Sequence, residues 1–286
     1  MRITRTDLAL ESVENIRKQG DISCLEGVHA RECERQGYPV TEVEIRSPRA
    51  AQAVGKPEGR YVTIDLRPFF RREEGFFVRA VNCLAGELRR LLPKVGQDFS
   101  VLTAGLGNRC MTADAVGPLA LENLLVTRHM VRALPRQFQG FTPVSALAPG
   151  VLAETGMETL ELLRGAVQAT GSAAVIAIDA LAARGRERLC ATVQLGDTGL
   201  IPGSGVGNHR KAINAQTLGV PVIAVGVPTV IAASLLEGEG EDEDPLFLTP
   251  RDIDSRVREL GRVIGYGVTL ALQKGLNVED VTGLLG

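Results

Sequence analysis

Two stretches almost free of polar side chains constrain what this chain can fold into. Ala173–Ile178 reads AAVIAI and Val220–Val225 reads VPVIAV. Runs this short and this apolar fit strands buried on both faces, as in a parallel sheet covered by helices. Helical spacing appears elsewhere. Phe77, Val81, Leu84, Leu88 and Leu91 follow one stripe that Pro93 closes, and Ile253, Val257, Leu260, Ile264 and Val268 follow another. Strands alternating with helices predict an α/β fold, a three-layer α/β/α sandwich around a mainly parallel sheet.

Composition narrows the classes. At 286 residues and 44% hydrophobic the chain has ample material for a full core. The formal net charge of −2 leaves no basic footprint, so no nucleic-acid partner is expected. Five scattered cysteines without a CxxC pair predict free thiols in a reducing compartment, here the cytoplasm. The N-terminus MRITRTDLAL has no apolar signal region. Leu218–Leu236 is uncharged and nearly long enough to span a membrane, but it contains Pro221 and Pro228. A buried strand Val220–Val225, a proline turn and a helix account for it, with no membrane partner.

In order, residues 1–37 read as a polar, less regular N-terminal arm, and residues 38–286 as a single α/β domain. Val40–Ile45 and Tyr61–Leu66 alternate as strands. A helix is expected from the Asp114 corner to about Leu134, before Pro135. Another starts at the Thr155/Glu158 capping-box pair and runs to Ala169. The strand Ala173–Ile178 ends at Asp179, and Leu189–Leu195 forms a further strand. The last helix starts near Thr249, Pro250 and Asp252 and is capped by Gly275.

The stretch that carries chemistry is AGLGNRCMTADAVGP, Ala104–Pro118. A strand, a glycine turn and a helix form the corner where open α/β sheets place their sites. Asp114 stands at the mouth of that helix, and Asp179 at the exit of the most apolar strand. Either acid alone also fits a helix cap or a turn. As a pair on one sheet edge they point to acid–base chemistry. At about 4 Å apart and an effective dielectric of about 20 they would repel by about 4 kcal/mol. That separates their pKa values by roughly 3 units. One acid then keeps its proton while the other activates water, the division used by aspartic proteases.

Other motifs are weaker. Gly105-Leu106-Gly107-Asn108 lacks the lysine of a phosphate loop and reads equally as a tight turn; as a site it offers Gly107 and Asn108 to a substrate. Asp197-Thr198-Gly199 reads as a turn, because the DTG proteases are all-β and this chain is not. The loop Gly196–Lys211 is glycine-rich and offers Ser204, Gly205, Asn208 and Arg210 for substrate binding. Ser204 lacks the GxSxG spacing, so a Ser204–His209 hydrolase is only a minor alternative. His29, His129 and His209 are isolated, so no metal site and no cofactor are expected.

Together these motifs resemble the germination protease of spore-forming bacteria. The matches are RTDLALE (Arg5–Glu11), the GLGN…TADAVGP corner, APGVLAETGMET, AIDALAAR, DTGLIPGSGVGNHRK, GVPVIAVGVPT and TPRDID, in order along nearly the whole chain. The resemblance implies a phosphorylase/hydrolase-like sandwich and an endopeptidase that degrades small acid-soluble spore proteins at germination, in the forespore or spore core. It also implies a zymogen that trims its own propeptide, residues 1–7, between Asp7 and Leu8, and a homotetramer. Its two essential aspartates fall on Asp114 and Asp179, and it uses no established metal. Ala113 stands where that family usually has proline, and the segment near 237–248 is short. The corner alone is also similar to the hydrogenase-maturation endopeptidases, which leaves a metal-assisted peptidase as the alternative. A catalytically silent peptide-binding spore protein is the other.

Overall fold

The computed structural model describes residues 6–20, 22–93, 99–206, 210–233 and 246–286. One mixed sheet runs through it. Its strands are β1 (Val28–Arg35), β2 (Tyr38–Ile45), β3 (Gly59–Asp65), β4 (Val101–Gly105), β5 (Val144–Leu147), β6 (Ala174–Ala183), β7 (Thr192–Gly196), β8 (Val222–Ala232) and β9 (Phe247–Leu248). They lie in the order β1-β2-β3-β7-β8-β6-β4-β5, with β9 beside β8. The half β5-β4-β6-β8 is parallel. The pairings from β8 through β7 to β1 are antiparallel. The two apolar runs are the cores of β6 and β8, adjacent at the centre of the sheet.

The helices are α1 (Ala9–Gln19), α2 (Pro48–Val54), α3 (Phe76–Leu91), α4 (Val116–Leu121), α5 (Arg128–Ala133), α6 (Leu152–Thr155), α7 (Thr159–Thr170), α8 (Ala215–Leu218), α9 (Ile253–Leu272) and α10 (Val278–Leu285). On one face, Leu84, Leu88, Val116, Leu260 and Ile264 pack on Ile178, Val193 and Val225. On the other face, α7 and α8 set Leu160, Leu163 and Leu218 on Val175, Ala177 and Val222. On that same face α1 and α2 set Val13, Ile16 and Val54 on Val43, Ile45 and Tyr61. Strand side chains alternate between faces. Val193 and Leu195 therefore turn toward the first face and Gln194 toward the second, where Asp179 also points, two residues on from Ala177. This second face has two separate helical groups, and among the described residues no helix covers the strands between them.

Several boundaries differ from the sequence reading, each for a tertiary reason. The N-terminal segment is not a loose arm: it holds α1 and the hairpin β1–β2. The hairpin turns on Gln36 and Gly37, both at positive φ (55° and 80°), the geometry of a type I′ turn. The helix expected to run on to Leu134 is instead α4 and α5. Between them the chain leaves the helical path so that Leu125 N–H donates to Thr269 Oγ1 (3.0 Å) and Thr127 N–H to the Val144 carbonyl (3.1 Å). Gly156, left-handed at φ 68°, ends α6, so α7 starts at Thr159 with Glu158 and Glu161 as its capping pair. β6 passes through Asp179 to Ala183, and β7 starts only at Thr192. β8 continues through Pro228 where a turn and helix were expected. Pro228 sits where the β6–β8 register shifts, and its carbonyl accepts from Cys190 N–H (2.7 Å). That is a place where a strand tolerates a missing N–H. α9 ends at Leu272, capped by Gln273 ahead of Gly275.

α1 is held to the sheet by one buried carboxylate. Glu11 accepts from Arg184 N–H (2.8 Å), Gly185 N–H (2.9 Å) and the Thr6 hydroxyl. Glu11→Ala leaves two backbone donors without this acceptor, at about 1–3 kcal/mol each when buried. Urea unfolding should show a loss of about 2–4 kcal/mol; an unchanged midpoint would mean that apolar packing alone docks the helix.

Among the described residues no helix is long and apolar enough to cross a membrane. Cys33, Cys83, Cys110 and Cys190 are in no disulfide among the described residues.

Candidate active site

β4 ends at Gly105, and the next residue is tied across to β6, Leu106 N–H donating to the Ile178 carbonyl (2.8 Å). Gly107 follows at φ 106°, where a side chain would overlap the Asp114 carbonyl oxygen and lie 2.9 Å from Asp114 Oδ1. Only glycine lets the loop fold back this tightly. The fold-back brings Asn108 N–H to Asp114 Oδ2 (2.7 Å). Asp114 closes a 3₁₀ turn, Thr112–Asp114, just before α4. β8 holds this turn from beneath: Thr229, fully buried, donates from Oγ1 to the Ala113 carbonyl (2.6 Å).

Asp179 lies one residue beyond the carbonyl that anchors Leu106. It is 6% exposed, and Oδ1 accepts from Ala180 N–H (2.9 Å). Burial pushes its carboxyl well above the ordinary carboxylate range, and the charge of Asp114 pushes it further. The Ala180 N–H pulls it back, and the charge of Asp7 adds a smaller rise. Burial also raises Asp114, and the Asn108 N–H opposes that rise. The two acids are thus brought to one strand edge, where the charge of Asp114 reaches Asp179, and Asp179 is the more strongly biased toward holding a proton.

The open strip of the second face is a cavity of about 470 Å³. The N-terminal segment runs into it. Asp7 N–H donates to the Ala182 carbonyl (3.0 Å), and its carboxylate accepts from Ala182 N–H (2.9 Å) and Ser204 Oγ (2.6 Å). Gly205 leaves room for that carboxylate, since a side chain there would overlap Asp7 Oδ2. Leu8 beyond it is fully buried. Lys56 lines the same cavity; burial lowers its pKa, and the charges of Asp7 and Glu11 work against that.

The remaining sequence candidates separate. Ser204 and Gly205 meet Asp7, whereas Gly107 and Asn108 meet Asp114. Gly107 also borders a second cavity of about 390 Å³, with Arg109, Glu122 and Glu154. Arg210 is half-buried but does not line either cavity. Asn208 and His209 lie outside the described residues. Asp197 is a turn residue, accepting from Arg60 N–H (2.7 Å) and Arg60 Nε (2.8 Å). His29 and His129 are exposed. Among the described residues no group of three or more His, Cys, Asp or Glu is placed to hold a metal ion. Sequence reasoning missed Thr229 and Gln194. Both are polar residues within apolar strands, and that interruption of the pattern is the signal that marks them.

The fold and site define an α/β protein with an acid pair at a strand edge and its own N-terminal segment lying in the adjoining cavity. Residues 3–243 match the germination protease family model. The germination protease of Bacillus velezensis is 42% identical, over 98% of this chain and 77% of its own length. That of Priestia megaterium is 38% identical over 97% and 76%. That of Caldanaerobacter subterraneus subsp. tengcongensis is 38% identical over 98% of both chains. Among solved structures, the [NiFe] hydrogenase maturation protease HycI of Thermococcus kodakarensis aligns at a TM-score of 0.35 and 15% identity, covering 64% of this chain and 98% of its own. The chain belongs to the germination protease family, and it is a peptidase.

Proposed function

We propose that this chain is an endopeptidase of the aspartic type that starts the degradation of small acid-soluble spore proteins at germination. It works in the forespore or spore core as a homotetramer and is made as a zymogen that cuts itself between Asp7 and Leu8. The observation that carries the reading is the pair of acids in unequal environments with the Thr6–Ala9 segment alongside. Asp179, held protonated by burial and by its neighbour's charge, is the general acid. Asp114, less buried and supported by the Asn108 N–H, is the base.

The chemistry follows from those roles. Asp114 takes a proton from water as the water oxygen bonds to the peptide carbonyl carbon. The carbon–nitrogen bond then breaks, and Asp179 gives its proton to the departing amine. Each half of such acid–base assistance contributes about 10²–10⁴-fold. Activity should fall at low pH, where Asp114 gains a proton, and at high pH, where Asp179 loses one.

Asp114→Asn tests the reading directly. The variant should fail to cleave a spore-protein peptide and should keep its full N-terminus, while the unmodified chain should mature to a form beginning at Leu8, as read by N-terminal sequencing. Native-level cleavage by the variant rejects the aspartate mechanism. A mature terminus elsewhere rejects only the processing position.

A further inference from the structure

Gln194 has no part in the chemistry above, yet its side chain makes two bonds to the segment in the cavity. Its Nε2 donates to the Asp7 carbonyl oxygen (3.0 Å), and its Oε1 accepts from Ala9 N–H (2.7 Å). The partners fix which way the amide faces, because a carbonyl only accepts and a backbone N–H only donates. Gln194 therefore brackets the Asp7–Leu8 peptide bond, gripping the carbonyl on one side and the second N–H on the other.

Strand register places it two strands from Asp179. Asp179 pairs with Gly226 across β6–β8, and Gln194 pairs with the same Gly226 across β7–β8. Directly paired residues share a face. The three therefore form one row on the second face, with the outer two about 10 Å apart at two strand spacings; Gln194 and Gly226 line the cavity, and Asp179 is buried at the end of the row. The middle position is glycine, and the Leu181 side chain of β6 fills the space over it, where an added carbon would overlap Leu181 Cδ1.

We propose that Gln194 is a catalytic residue, the donor that stabilises the carbonyl oxygen of the bond being cut. This rests on the assignment of Asp7–Leu8 as a bond the enzyme cleaves. As the water oxygen bonds to the Asp7 carbonyl carbon, the second carbon–oxygen electron pair moves onto oxygen, which gains negative charge. The Gln194 N–H already points at that oxygen, so its bond strengthens as the charge develops. When the carbon–nitrogen bond breaks, the pair returns and the product is an ordinary carboxyl group. The Oε1 bond to Ala9 N–H holds the amide in register throughout. Removing one such donor typically costs about 10²–10³ in kcat.

Two readouts test this: the first-order rate at which the full chain cuts itself, and turnover of a synthetic peptide copying Ile3–Ser12. Gln194→Met keeps the length and removes the donor. Both rates should fall about 10²–10³-fold with KM within about threefold. Gln194→Glu keeps the acceptor for Ala9 and presents a carboxylate to the carbonyl. It should be slow at neutral pH, and its rate relative to the unmodified enzyme should rise on acidification as the carboxyl gains an O–H to donate. The Met variant's ratio should stay flat. A native kcat in Gln194→Met, or a change in KM alone, overturns the assignment. If Gln194→Met fails to fold, a pH-independent ratio for Gln194→Glu overturns it. Asp114→Asn run in parallel separates the two claims. An inactive Asp114→Asn beside a fully active Gln194→Met refutes only the role of Gln194, and an active Asp114→Asn removes the reading beneath both.

Discussion

Asp179→Asn should lose peptidase turnover by about 10²–10⁴-fold and yet resist unfolding better than the unmodified chain at neutral pH. The two effects have one cause. The Asp179 carboxyl has a folded-state pKa well above the ordinary aspartate value of 3.8, chiefly through burial. Below 3.8 both folded and unfolded chains hold the proton, and the group costs nothing. As pH rises past 3.8 the unfolded chain releases its proton while the folded chain keeps it, so stability falls. The loss levels off once pH passes the folded pKa. Asparagine stays neutral, retains an oxygen for the Ala180 N–H and avoids that loss. Thermal unfolding should therefore show no difference near pH 3.5 and a higher Tm for the variant at pH 8, at roughly 2–4 °C per kcal/mol. Equal Tm values at pH 8 would mean that burial does not hold this carboxyl neutral, and turnover at the native rate would remove it from the chemistry.

Gly117→Ala is the other large effect, and its sign reverses the usual rule. Glycine inside a helix normally costs about 1 kcal/mol relative to alanine. Gly117 lies in α4, but a Cβ there would overlap the Leu106 carbonyl oxygen and lie 2.5 Å from Leu106 N and 2.7 Å from the Ile178 carbonyl oxygen. These are backbone atoms of the residue after β4 and of mid-β6, one residue before Asp179, and they cannot swing aside as a side chain can. α4 has to lift from the sheet, taking Asp114 with it. A loss of about 2–4 kcal/mol in urea unfolding is expected. Turnover should drop by about 10²-fold or more, since misplacing a catalytic group by about 1 Å costs that much. Gly86→Ala is the control: it sits in α3 with nothing within 4 Å of the added carbon. It should be neutral or stabilising by up to about 1 kcal/mol. Equal behaviour of the two variants would show that the close approach of α4 is not what sets the corner.

The parts legible in the sequence were those in which local pattern and tertiary packing agree. The apolar runs of β6 and β8 are apolar because helices cover both faces, and the glycines around Asp114 are glycines because backbones meet there. The N-terminal segment was illegible because what orders it is distant: Glu11 finds its N–H partners at Arg184 and Gly185. The Gln36-Gly37 turn carries neither Asn-Gly nor Asp-Gly, so the hairpin gave little warning of itself. Pro228 reads as a breaker until the register shift beside it is known. Gln194 could be marked only as a polar residue between Val193 and Leu195, because its partners are the backbone of residues 7 and 9.

The order in which the central strands are made has its own consequence. β6 and β7 follow one another in the chain but do not touch; β8, synthesised later, lies between them. A nascent chain that has not reached Gly226 carries the acid and the amide on strands with nothing to join them. The row of Asp179, Gly226 and Gln194 therefore closes only after β8 has been made.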